Sequence, residues 1–226
     1  RLVGETGGKN FHVIHPSADL RHVVLNTLRA AFEYQGQKCS ACSRAYVPKS
    51  MFQSFSQMLQ EEIATIKMGQ PDDFSIFMSA VISQDASQKH QNYFDSIKGA
   101  SDHSIITGGK VHTERGWFVE PTVITTTDPY SIGMQTEFFG PIIHLYVYDD
   151  SKPNAWEDIL EITDKTTRYG LTGAVFANDR EALVVAEKKL INSCGNLYLN
   201  DKSTGAVVGQ QPFGGSRLSG TNDKAG

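Results

Sequence analysis

Two residues of this chain have the types and surroundings to do covalent chemistry together. Cys39 stands in "GQKCSACS" (residues 36–43), and Glu5, 34 positions earlier, stands in "GETGG" (residues 4–8). The positive charge of Lys38 would favour thiolate over thiol in its neighbour. The glycines around Glu5 leave its carboxylate room to swing. A thiolate with a nearby base suits a reaction in which an acyl-thioester forms and water then hydrolyses it.

The same window admits other readings. Cys39 and Cys42 are spaced Cys-x-x-Cys, as in half a zinc site or a dithiol redox pair, and two small buried cysteines with no chemistry would look no different. Structural zinc needs four ligands, normally as paired half-sites. Cys194, the third cysteine, has no cysteine neighbour, and none of the seven histidines lies in a His-x(3–5)-His pair. His112 and Glu114 form a His-x-Glu, but the Pro-Cys-x-x-Cys that zinc deaminases place downstream is absent. No metal is expected. A thioredoxin-like pair belongs near the start of a compact βαβ unit, whereas this one follows a long helical stretch. "GETGGKN" and "TGGKV" resemble phosphate loops yet satisfy neither Gly-x4-Gly-Lys-Ser/Thr nor Gly-x-Gly-x-x-Gly.

The elements that must position these residues are legible from periodicity. Leu20, Val23, Val24, Leu28 and Ala31 form a helical stripe, with Ser17 expected as N-cap and Gly36 as stop. "SRAYVP" predicts a short strand closed by Pro48. Ser50 and Gln53 predict a capping box for a helix running through Phe52, Phe55, Leu59, Ile63 and Ile66 to Gly69. A helix is predicted over 86–97. Strands are predicted at 104–107, 117–125, 141–149, 173–177 and 195–200, with helices around 156–162 and from 178 onward. Helices alternating with short apolar strands predict an α/β fold, an open twisted, mostly parallel sheet with helices on both faces, in one domain.

Charge and composition narrow the partners. A net charge of −4 with scattered basic residues gives no footprint for nucleic acid, and no apolar run reaches the roughly 20 residues that cross a bilayer. Three cysteines suit reduced thiols rather than a disulfide framework.

In order and spacing, "GETGGKN", "GQKC", "EFFGP" (137–141) and "QPFGG" (211–215) resemble the aldehyde dehydrogenase superfamily, as do "GWFVEPTVI", "YGLTGAVFA" and "GNLYLND". Within it, "FEYQGQKCSACSRAYVP" and "NDKSTGAVVGQQPFGGSRLSGTNDK" are most similar to the eukaryotic delta-1-pyrroline-5-carboxylate (glutamate-γ-semialdehyde) dehydrogenases. The resemblance implies NAD-dependent oxidation of glutamate γ-semialdehyde to glutamate in proline breakdown, in the mitochondrial matrix. It implies Cys39 as nucleophile and Glu5 as the base that activates water. It further implies Glu137 and Phe139 at the cofactor, and Lys38, Ser40, Gly205, Ala206 and Phe213 at the substrate. Phe138 replaces the Ile that relatives commonly carry, and Ala206 a Ser that close relatives often have. By the same resemblance the chain corresponds to the catalytic domain (1–226) of a longer homo-oligomer. An NAD-binding domain is expected ahead of it and a subunit-joining segment after it, so that alone it should bind NAD poorly. The competing expectation is a non-catalytic relative that keeps the fold as an interaction module.

Overall fold

The computed structural model describes residues 1–224. Seven strands form one sheet: β1 (Asn10–Ile14), β2 (Cys42–Pro48), β3 (His103–Thr107), β4 (Thr122–Thr126), β5 (Ile142–Tyr148), β6 (Thr172–Phe176) and β7 (Asn196–Leu199). Their spatial order is β7-β6-β1-β2-β5-β4-β3, with every pairing parallel except the antiparallel edge between β3 and β4. Five helices connect or cover them: α1 (Leu20–Phe32), α2 (Lys49–Ala64), α3 (Gln84–Ile97), α4 (Ala155–Lys165) and α5 (Arg180–Leu190).

Burial explains why central strands read as apolar runs rather than as an alternation: both faces are covered. Ile14, Ala45, Val47, Ile143, Leu145, Ala174 and Phe176 point into one core under α1 and α2. Their neighbours Phe11, Val13, Tyr46, Tyr148 and Val175 point into the other, under α4 and α5. The predicted architecture is the one observed. A third, smaller core joins α3 to the edge strands through Tyr93, Phe94, Ile97, Val119, Ile124 and Phe138.

Four local expectations are corrected. α1 is capped by Asp19, whose carboxylate accepts from His22 N at 2.7 Å. Ser17 is instead drawn to a long-range task, its Oγ accepting from the amides of Asn178 and Asp179. Ser50 makes no capping box; α2 starts at Lys49, and Ser50 binds Asp150 beyond the end of β5. The strand predicted over 117–125 is broken at Pro121, which cannot donate to a ladder, into Phe118–Val119 and β4. Finally β1, a central strand, was not predicted at all. Its five residues are wholly buried, yet Asn10 and His12 interrupt the apolar pattern.

The functional loops sit at one edge of this sheet. Glu5 precedes β1, Cys39 precedes β2 and Glu137 precedes β5, so adjacency of three parallel strands brings three separated loops together. After α1 the chain turns through Glu33–Gly36, with Tyr34, Gln35 and Gly36 all at positive φ. Gly36 has φ +65°, and a Cβ there would strike the Gly140 carbonyl of the neighbouring loop. Gly36→Ala is therefore expected to destabilise the fold by about 1–3 kcal/mol, combining a strained backbone with a backbone clash. Urea unfolding of the variant against the parent measures it.

Candidate active site

Cys39 is half-buried where two recesses meet. On one side lies a cleft of about 830 Å³ lined by Lys38, Cys39, Ser40, Thr204, Gly205, Ala206 and Phe213 among others. On the other is a narrow crevice bounded by Gly8, Asn10, Cys39, Glu137, Phe138 and Phe139. Every residue expected at the substrate lines the first, and both expected at the cofactor line the second.

The nucleophile loop has no secondary structure, so its backbone groups depend on side chains. Asn10 Nδ2 donates to the carbonyls of Cys39 (2.7 Å) and Ala41 (2.8 Å), and its Oδ1 accepts from Thr172 N (3.0 Å). The intervening Ser40 carbonyl accepts from Thr172 Oγ1 and Ser203 Oγ, each at the long end of 3.4 Å. Gly8 must be glycine here, because a Cβ would stand 2.7 Å from the Cys39 carbonyl oxygen. The N–H groups of Cys39 and Ser40 act on the thiol itself, favouring its charged form.

Electrostatics corrects the reading of Lys38. Its Nζ lies 3.0 Å from Glu33 Oε2, while Arg29 holds the other oxygen at 2.7 Å. Burial of Glu33 works against its ionisation, yet the hydrogen bonds and charges of Lys38 and Arg29 hold its carboxyl below the usual range. The charge of Lys38 is spent on that pair. The Cys39 thiol is raised, first by burial and then by the negative charge of Glu5, and the two N–H groups oppose this only in part. Burial pushes Cys42 and Cys194 up to about 12, so both are inert thiols at neutral pH.

Glu5 is exposed, but its backbone is less free than its glycines suggested. Thr6 N donates to Ser219 O (3.0 Å), Thr221 N donates to Gly4 O (3.1 Å), and Glu5 bridges Gly220. Mobility is confined to the side chain. Glu137 accepts from Gly8 N at 2.8 Å, and its own carbonyl accepts from Lys89 Nζ at 2.9 Å. Phe139 has φ +55°, is 44% exposed and lines the crevice. Phe138 turns inward instead, stacking 4.1 Å from Tyr93 with the Lys9 ammonium 5.2 Å from its centroid. The aromatic at this departure from the common Ile thus packs a wall behind the loop.

The cleft side is carried by the segment after β7, folded back over the sheet. Ser203 N donates to the buried His12 Nε2 (3.2 Å), and Ser40 Oγ donates to Thr204 Oγ1 (2.8 Å). Gly205 and Ala206 are exposed, and among the described residues their N–H groups have no protein acceptor. Phe213 is half-buried beside them. Asn10, His12, Ser203 and Thr204 were missed in the sequence. Asn10 follows Gly7-Gly8-Lys9 directly, but no local pattern marks it, because it and His12 break the apolar run of β1. Among the described residues there is no group of three or more His, Cys, Asp or Glu placed to hold a metal ion.

These features place the molecule in a known class. The sequence profile of the aldehyde dehydrogenase family matches residues 1–226, and the chain belongs to that family. It is 55% identical over 226 residues to the mitochondrial delta-1-pyrroline-5-carboxylate dehydrogenase of Dictyostelium discoideum, covering all of this chain and 40% of that protein. Against the Homo sapiens protein of the same name it is 50% identical over 227 residues, with the same coverage. Among solved structures, the Mycobacterium tuberculosis Delta-pyrroline-5-carboxylate dehydrogenase bound with NAD and cobalamin superposes with a TM-score of 0.92 at 45% identity. That match covers 100% of this chain and 41% of the other. A Thermus 1-pyrroline-5-carboxylate dehydrogenase with bound NAD gives a TM-score of 0.88 at 33% identity, covering 99% and 41%. The chain thus spans about 40% of the length of the relatives it matches.

The electrostatic assignment is testable by alkylation. Cys39 is expected to react with iodoacetamide well ahead of Cys42 and Cys194. Removing the Glu5 charge stabilises the thiolate, so Glu5→Gln should speed Cys39 alkylation at pH 7.5 by about two- to fivefold, whereas Lys38→Gln should change it less. Mass spectrometry of timed samples reads both, and a larger slowing in Lys38→Gln would return the activating role to that lysine.

Proposed function

We propose that the protein carrying this chain oxidises L-glutamate γ-semialdehyde to L-glutamate with NAD, in mitochondria, and that these residues supply its nucleophile, base and substrate cleft. The observation that carries the reading is the position of Cys39 between a cleft floored by unpaired backbone amides and a crevice bearing a carboxylate. The activity, substrate and matrix location are proposed for the protein as a whole.

The chemistry follows from the groups in place. Cys39 Sγ, as thiolate, bonds to the aldehyde carbon, and the carbonyl π electrons move to oxygen. The N–H groups of Cys39 and Ser40, which favour the charged form of the thiol, are the loop's candidates to donate to that developing negative charge. The free amides of Gly205 and Ala206 suit the substrate's carboxylate, and Phe213 its methylene chain. With Ala at 206 in place of the hydroxyl that close relatives often carry, recognition there falls to the backbone. Glu137 offers carboxylate oxygens that a ribose hydroxyl can donate to, and Phe139 an apolar ring beside them, groups that suit the nicotinamide ribose at the mouth of this crevice. The chemistry NAD supplies there when bound is acceptance of the hydride, which leaves the carbon–sulfur adduct as a thioester. Glu5 then takes a proton from water as the water oxygen bonds to the acyl carbon. The C–S bond breaks, the thiolate is regenerated and the carboxylic acid leaves.

In the full-length protein, Cys39→Ala should abolish aldehyde oxidation, while Cys42→Ala should keep it within about threefold, since that thiol is buried and protonated. Glu5→Gln should cut steady-state turnover by about 10²- to 10³-fold yet retain a burst of NADH near one equivalent, because acylation precedes the step it serves. Stopped-flow absorbance at 340 nm distinguishes these. Full turnover by Cys39→Ala, or loss of the burst along with turnover in Glu5→Gln, would sink the respective assignments.

A further inference from the structure

We infer that Asn10 is a positioning residue of the reaction: its carboxamide holds the Cys39 and Ala41 carbonyls back so that the Ser40 N–H is aimed at the nucleophile. This rests on Cys39 being the nucleophile, and it assigns a task to a residue of the crevice wall that the sequence reading placed at neither substrate nor cofactor.

The argument begins with the peptide plane. No peptide among the described residues is cis, so in the Cys39–Ser40 unit the carbonyl and the N–H point in opposite directions. Fixing the Cys39 carbonyl on one side therefore fixes the Ser40 N–H on the other. Asn10 does the fixing with one nitrogen, spending both of its hydrogens on carbonyls two residues apart, at 2.7 and 2.8 Å. Its oxygen is held in turn by Thr172 N at 3.0 Å, which locks the orientation of the amide and excludes its flipped form. One side chain joins two strands and a loop: β1, which bears it, β6, and the loop entering β2.

The site is built to be rigid. Asn10 is 2% exposed, so its donors have no water to fall back on. Gly8 leaves no Cβ between Asn10 and the Cys39 carbonyl, where one would lie 2.7 Å from that oxygen and 3.0 Å from Asn10 Oδ1. On the opposite side of the same peptide the Ser40 N–H faces away from Asn10, and the N–H groups of Cys39 and Ser40 act to lower the pKa of the Cys39 thiol. With Lys38 paired to Glu33, these amides are the donors that the loop itself offers to a thiolate or to the oxyanion formed beside it. Without Asn10 the peptide is free to rotate, and a buried carbonyl seeking a partner would turn the N–H away.

The test separates aim from fold. In the full-length protein, Asn10→Ala is expected to lower kcat by about 10²-fold with KM for the aldehyde changed less than about threefold, as for loss of an aligned donor to the oxyanion. The pH profile of Cys39 alkylation should move about one unit upward, because the thiolate loses an N–H donor. Asn10→Ser, which keeps one donor in place of two, should fall between Ala and the parent in both readouts. It serves as the measured variant should Asn10→Ala fail to fold. A purely structural role would lower thermal stability and the fraction of active molecules while leaving kcat per titrated Cys39 and the alkylation profile at parental values. That result would overturn the proposal. If Cys39→Ala in the same assay retains full turnover, the nucleophile assignment has failed instead, and that outcome overturns the proposal along with it.

Discussion

The half-buried, irregular loop around Cys39 needs its backbone satisfied by something other than a ladder or a helix, and this constraint organises the site. Buried carbonyls without partners cost more than most hydrogen bonds return. Here three successive carbonyls, those of Cys39, Ser40 and Ala41, are met by Asn10, Thr172 and Ser203. Each partner comes from a different stretch of chain, so the loop's geometry is dictated by how β1, β6 and the segment after β7 assemble. The packing of two hydrophobic cores on the faces of the sheet is in this sense a prerequisite for the shape of a four-residue turn.

The same dependence extends outward. Ser40 Oγ reaches Thr204, Ser203 N reaches His12, and His12 Nδ1 meets Thr27 of α1 at 2.9 Å. His12 is wholly buried, and burial lowers its pKa to about 3, so the imidazole stays neutral and can accept from Ser203 throughout the physiological range. On the cofactor side, Glu137 ties its loop to Gly8, which lies against the Cys39 carbonyl. Loops distant in sequence are therefore not merely neighbours around Cys39. They share hydrogen bonds with the elements that fix it.

How much of this the sequence disclosed depends on whether a residue's partner was local. The stripes of α1 and α2 and the β-branched runs of β5 and β6 were readable because periodicity reflects burial on a face, and the faces formed as expected. Ser17 and Ser50 look like helix caps by local rules, but tertiary partners claim them, so α1 is capped by Asp19 and α2 has no side-chain cap. Lys38 is adjacent to Cys39 in sequence, yet its charge goes to Glu33 on the turn after α1. β1 escaped because Asn10 and His12 break its apolar run, and those two residues are the ones that organise the loops. Cys39 and Glu5 stood out by residue type and surroundings, and Glu137 and Phe139 were proposed through motifs carried by resemblance. Asn10 could not be, since its meaning lies in partners 29, 31 and 162 residues away.

The topology also explains why the thiol needs such loop donors. In open α/β sheets ligands usually bind beyond the carboxyl ends of the strands, where helix N-termini collect and their dipoles favour negative charge. Cys39, Glu5 and Glu137 instead precede β2, β1 and β5, at the amino edge. α2 starts directly after β2, so its positive end lies at the far side of the sheet, while α1 ends at Phe32 and its chain leads toward Cys39. Neither α1 nor α2 thereby directs its N-terminus at the sulfur, the adjacent lysine is paired, and burial with Glu5 raises the thiol. Stabilisation of negative charge at this edge must then come from individual peptide N–H groups aimed by their own carbonyls. Aim of that kind is only as good as the side chain that holds the carbonyl, which is why a buried asparagine at the head of a central strand bears on chemistry at a cysteine in the next loop.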